Sequence, residues 1–216
     1  MAAKVTKPKR ITDQMLRSWV RCKRKVWLDQ HGDQKKRIWP AHKTLQLDHQ
    51  HQSFLSLIHD NHGRGIEGCK KGASFIIGLR LKGKTPTGQS IETRPLLLQK
   101  VIGKSKWGHF AYSPVITRQG YKSTREHRLS MAFNALLLGA IQQSSVNDGI
   151  AISKTNKDLE TEKLHLSKSL KNELLDSLIK LEKDISLAKS PPLTPNRRKC
   201  VMCCWKRFCD LEANTS

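Results

Sequence analysis

The chain of 216 residues carries 40 Lys and Arg against 18 Asp and Glu, a formal net charge of +22 with a sequence pI near 10.1. That length suits one domain with a proper core, and the imbalance concentrates polyanions by attraction and counterion release, which makes nucleic acid, DNA first, the expected partner. No apolar run reaches membrane-spanning length and no secretory leader pattern is visible, so a membrane role and a disulfide framework are set aside and a reducing, cytoplasmic location is expected.

Residues 1–10 read as a basic leader and 11–216 as a single domain that ends in a cysteine-rich segment, 191–216. From Thr12 a helix is predicted, because Met15, Trp19, Cys22 and Val26 recur at spacings of four, three and four and so share one face. Cys22 therefore points inward, and Gly32 is the predicted stop. A basic loop, Lys35 to Arg37, leads to a second predicted helix from Leu45 to His59 with His51 on its apolar face.

After a glycine-rich turn (Gly63, Gly65, Gly68, Gly72), the stretches Phe75–Leu81, Pro95–Ile102 and Phe110–Arg118 read as strands of one hairpin-linked sheet. Ser123 with Glu126 three residues on predicts a capping box, followed by a helix with Leu129, Phe133, Leu136, Leu137, Ala140 and Ile141 at helical spacing. A short strand at Gly149–Ser153, a hairpin arm at Lys157–Leu166 and a helix from Ser167 to Ala188, apolar at Leu170, Leu174, Leu178, Leu181 and Ile185, follow, and Pro191, Pro192 and Pro195 lead into the tail. The mixed order predicts an α/β or α+β fold around one sheet.

Cys200, Cys203 and Cys209 form Cys-x2-Cys-x5-Cys, with no histidine after His165 to complete a set. Three thiolates of this kind hold zinc or an iron-sulfur cluster and need a distant fourth ligand; the plainer reading is buried core thiols.

The helical Cys22, a sheet followed by a helix, and the closing cysteines together resemble the RecB-like nucleases of the PD-(D/E)xK superfamily that carry a four-cysteine [4Fe-4S] cluster, a group that includes CRISPR-associated exonucleases and the nuclease domain of the AddB helicase-nuclease. The similarity runs through Ile11–Gly32 (ITDQMLRSWVRCKRKVWLDQHG), Tyr112–Val115 (YSPV), Ala132–Gln142 (AFNALLLGAIQ) and Cys200–Cys209 (CVMCCWKRFC). The resemblance implies a restriction-endonuclease-like core with its ends joined by the cluster. Its ligands would be Cys22, Cys200, Cys203 and Cys209, with Cys69 and Cys204 as bystanders. It also implies exonuclease activity in DNA repair.

The chemistry of that family is missing here. Its first Asp would fall at Leu96, its second carboxylate at Ile116 and its lysine at Arg118, and a Tyr-Gln pair would fall at His127 and Arg128. Between Gly68 and Arg125 the one carboxylate is Glu92, among twelve Lys and Arg. Hard divalent cations demand oxygen ligands, so Mg2+ or Mn2+ is not expected at the usual position. His51 matches a helical histidine that can contact the metal, although a lone histidine on an apolar face is more often a hydrogen-bonded core residue.

The expectation is a nuclease fold that binds backbone phosphates without hydrolysis, through Arg94, Lys100, Arg118, Lys122 and Arg125, with Trp107 and Tyr112 as candidate stacking residues. Three alternatives stand beside it. They are an active nuclease with a displaced site (Glu92 with Glu126, or Glu67 with His51), a non-catalytic subunit that docks a helicase or nuclease partner, and a zinc-stapled RNA-binding protein. The oligomeric state is left open.

Overall fold

The computed structural model describes residues 10–40, 45, 62–118, 122–154 and 159–215. The predicted helix at Leu45–His59, with His51, lies outside the described residues apart from Leu45.

The first helical stretch is broken in two. Helix α1 (Asp13–Arg21) is capped by Thr12, whose hydroxyl accepts from the Met15 amide, and α2 (Lys23–His31) begins after Cys22. Cys22 itself is extended (φ −161°, ψ 117°), which corrects the single continuous helix read from periodicity. Of the predicted face Met15, Trp19 and Val26 are buried and Cys22 is half-buried, and Leu16 and Leu28 are buried beside them. The break turns the Cys22 thiol away from the helical face toward the tail.

Two sheets follow. The small one has the order β1 (Ile11–Thr12), β5 (Ser90–Thr93), β4 (Leu81–Lys84). The larger one runs β2 (His62–Arg64), β3 (Phe75–Ile77), β6 (Leu97–Ser105), β7 (Gly108–Thr117), β8 (Asp148–Lys154), β9 (Leu159–His165). The stretch expected as one strand, Phe75–Leu81, is therefore split between the sheets. Gly78 makes the break possible, because its φ of +68° is one that only glycine adopts without strain. The glycine-rich turn contains β2 and a one-turn-and-a-half helix, α3 (Gly65–Lys70), which composition alone did not reveal.

Strands β3, β6 and β7 are antiparallel neighbours, whereas β8 runs parallel to β7 after the crossover helix α4 (Arg125–Gln142). The cap of α4 sits one residue later than the sequence pattern predicts. Thr124 Oγ1 accepts from the His127 amide, and His127 Nδ1 accepts from the Thr124 amide at 3.2 Å. Ser123 instead bonds Glu162, and Glu126 is drawn to arginines of α1. Helix α4 ends on Gln142, a fully buried side chain that bonds both backbone groups of Tyr112 and so ties the helix to β7.

Helix α5 (Lys168–Ile185) is capped by Ser167 and buries Leu174, Leu178, Leu181 and Ile185, the face that its spacing predicts. These leucines join Leu129, Phe133, Leu16, Ile91 and Ile76 in one apolar core shared by both sheets. After the prolines, a 3-10 turn (Arg197–Cys200) leads to α6 (Lys206–Thr215), an ending that the sequence reading left undivided. Among the described residues no helix is long and apolar enough to cross a membrane.

Candidate functional site

The tail docks on α2. Trp205 is 1% exposed, its indole donates to Asp29 Oδ1 at 2.7 Å, and it packs with Leu28, Cys204 and Phe208. Backbone hydrogen bonds from Cys203 to Cys200 (2.9 Å) and from Cys209 to Trp205 (2.9 Å) wind the segment so that its cysteines face the break in the N-terminal helices. Cys22, Cys200, Cys203 and Cys209 all line one small pocket of about 30 Å³. Two ends of the chain separated by most of the sequence thus meet at four thiols.

The rest of the lining mixes apolar residues, Leu28, Leu193, Met202 and Trp205, with the cations Arg21, Arg24, Lys25, Arg197, Lys199 and Lys206, and no acid lines it. Burial holds the Cys200 and Cys209 thiols above the ordinary cysteine range. Among the described residues, no group of three or more His, Cys, Asp or Glu side chains is arranged to hold a metal ion.

The other two cysteines are placed differently. Cys69 is fully buried and its thiol is pushed up to about 11 by burial, as an inert core residue requires. Cys204 is buried beside Trp205, and its thiol is held below the ordinary cysteine range by its interaction with Cys203 first and Arg37 second. The same interaction raises the Cys203 thiol.

At the other candidate site, the register pairs Leu97 with Val115 and Leu98 with Pro114. Leu96 immediately precedes β6 and lies outside this pairing, and Ile116 pairs with Ala151 of β8. Leu96 is 62% exposed at the mouth of β6, and Ile116 is half-buried on β7. Arg118, two residues on, is not a surface cation. Its side chain is 4% exposed and is held by Glu160 and Glu162 of β9. It is therefore corrected from a phosphate contact to a buried ion pair, which a reading confined to residues 68–125 could not see.

The carboxylates offered for a displaced site are also committed. Glu92 takes both ends of Arg80 (2.7 and 2.6 Å), with Arg10 at 3.2 Å and Arg94 at 3.7 Å, and the Arg80 bonds first of all hold its carboxyl below the usual range. Glu126 is bound by Arg17 at 3.0 Å and by Arg21. Three and two guanidinium groups leave neither carboxylate facing a divalent ion.

Among the remaining predicted contacts, Arg94 and Arg125 are exposed on weak surface pairs, the latter with Glu173 at 2.6 Å, and Lys122 is exposed. Lys100 lies 4.4 Å from the Phe110 ring centre and donates to Gly72 O. Tyr112 is buried with its hydroxyl donating to Ala73 O at 2.8 Å, and Trp107 packs on the core, so both leave the list of stacking residues. A tryptophan that the sequence reading passed over, Trp39, is 47% exposed with the Arg37 guanidinium 4.6 Å from its ring centre.

No protein-family model and no curated protein matches the chain. Among solved structures it is similar in fold to SSO0001, known from a crystal structure, with a TM-score of 0.57 at 13% identity over 96% of this chain and 88% of that one. The likeness is one of architecture, a mixed sheet flanked by helices.

Proposed function

We propose that this chain is a RecB-like protein with a restriction-endonuclease-like core that binds nucleic acid without cutting it, its two ends joined at a [4Fe-4S] centre. One observation carries the proposal. The resemblance puts the first catalytic acid at Leu96, the second at Ile116 and the lysine at Arg118; here Leu96 immediately precedes β6, Ile116 lies on the neighbouring β7, and Arg118 is held by Glu160 and Glu162. Two aliphatic side chains offer no oxygen to a divalent cation, and hydrolysis that needs metal-activated water has no seat there.

Binding has support that catalysis lacks. Arg94 and Arg125 are in rim pairs of the kind worth little in water, so a phosphate competes for them readily. Each phosphate neutralised releases counterions and adds about −0.9 to the salt slope, with no sequence read. Lys100 and Lys122 complete the proposed set.

The iron-sulfur reading rests on the resemblance, and its support here is that cysteines from both ends of the chain line one pocket. When bound, the group supplies a crosslink between Cys22 and the tail. The chain's own part is to bring those cysteines, half-buried apart from Cys200, to one pocket and hold the tail against α2 through Trp205 and Asp29.

Fluorescence anisotropy with labelled single- and double-stranded DNA across a salt series, run beside a cleavage assay in Mn2+, tests the proposal. The expected result is salt-sensitive binding with the DNA intact. Robust cleavage that Glu92→Ala abolishes would overturn it.

A further inference from the structure

Of the five tryptophans only Trp39 is exposed (47%), and it follows the basic run Lys35, Lys36, Arg37. The backbone that carries it is anchored. Asp33 caps the 3-10 turn Gln34–Lys36 by accepting from the Lys35 amide at 3.0 Å, and the Gln34 side chain donates to Gly32 O at 3.1 Å. One residue before the indole, the Ile38 amide donates to Cys204 O at 2.9 Å. The Arg37 guanidinium, 4.6 Å from the ring centre, pins the indole while nearly half of its surface stays open.

Arg37 also lines an open cleft of about 480 Å³ beside α1 and α2. Arg10 stands in the same wall, its side chain 52% exposed beyond its pair with Glu92. Gln14 and Gln30 line it too, both exposed, with side-chain amides that can each donate and accept. The acid of the cleft, Asp29, is held by the Trp205 indole and Lys25, with Arg37 at 4.0 Å. Lys35 and Lys36 are exposed and pair with no carboxylate among the described residues, Lys36 resting 5.3 Å from the Phe208 ring centre.

An indole held by a guanidinium accepts the face of a base, and neighbouring cations take the phosphates on either side of it. Paired and stacked bases of a duplex do not offer that face, whereas an unpaired strand does. We propose that Trp39 is a stacking platform for single-stranded nucleic acid, with Lys35 and Lys36 on the flanking phosphates and the cleft between Arg10 and Arg37 receiving the adjacent nucleotide. This inference rests on the nucleic-acid-binding reading above and adds to it a strand preference and a contact surface apart from Arg94 and Arg125.

The test uses the full chain as wild type, Trp39→Ala, Trp39→Phe and Ile38→Ala, the last a neighbouring exposed apolar residue. Fluorescence anisotropy gives the affinity for oligo(dT), oligo(rU) and a duplex of equal length, and quenching of tryptophan emission reports the stack directly. The two single strands show whether DNA or RNA is the source of the bound base. Trp39→Ala is expected to weaken single-strand binding about tenfold and leave duplex binding unchanged. Trp39→Phe should keep most of the affinity but lose the quench, and Ile38→Ala should match wild type.

Unchanged single-strand affinity in Trp39→Ala, an equal loss on the duplex, or a quench that survives in Trp39→Phe would overturn the platform and leave the binding reading standing. Wild-type protein that binds neither single strands nor duplex would remove both together. If Trp39→Ala does not fold, the quench in Trp39→Phe decides.

Discussion

Arg118 Nε stands 3.2 Å from Oε2 of Glu162, across the gap between the end of β7 and the edge strand β9. The buried guanidinium is turned to two partly exposed acids of β9, with Glu160 at 3.3 Å completing the clamp. Breaking a pair whose cation is buried and whose acids are partly wet costs less than a fully buried break. We expect Arg118→Met to destabilise the protein by about 2 kcal/mol in urea unfolding. DNA affinity should be unchanged, because this guanidinium reaches no phosphate.

Glu92 makes the acid limb of stability predictable. Its carboxyl is held low by Arg80, so the native state keeps it ionised where the unfolded chain begins to take up a proton. The stabilisation is complete above the ordinary glutamate value and is lost as pH falls through the lower folded one. Urea midpoints from about pH 7 down to about pH 3 should fall steeply in wild type and less steeply in Glu92→Gln.

His127 gives a second pH effect at milder acidity. Burial lowers its pKa, and Nδ1 accepts the Thr124 amide in the cap of α4, which requires the neutral ring. Stability from this group is present above about 6.5 and declines as pH falls through the depressed folded value, because the unfolded chain binds the proton first. Thermal melting should show the loss between about pH 7 and pH 5, and His127→Gln should remove that part of it.

Cys22→Ser should empty the cysteine centre and loosen both ends. A crosslink that closes most of the chain is worth on the order of 4 to 5 kcal/mol in the chain-entropy model. Iron content should drop to background, and amide exchange should quicken across α2 and 197–215 while the β6–β7 hairpin stays protected. Full iron in this variant would remove Cys22 from the ligand set.

The parts of the molecule that a short window determines were readable. Leucine spacing located the buried face of α5, and the thiol spacing of the tail located three residues that share a pocket with Cys22. Long-range pairing hid the rest. Nothing near Arg118 in sequence indicates that Glu160 and Glu162 cover it, and Arg24 is indistinguishable from Lys23 and Lys25 until the tail folds onto it. The split at Gly78 and the extended Cys22 are backbone departures that apolar periodicity averages away. The capping pattern failed by one residue because His127 replaced the expected Glu126, which two arginines hold elsewhere.

Titrating Mn2+ into the full chain by calorimetry, with and without bound DNA, most directly tests whether acidity is missing from the cleft. No saturable site is expected in wild type, and Glu92→Gln should give the same flat trace. A stoichiometric Mn2+ site that Glu92→Gln or Glu126→Gln abolishes would contradict the account.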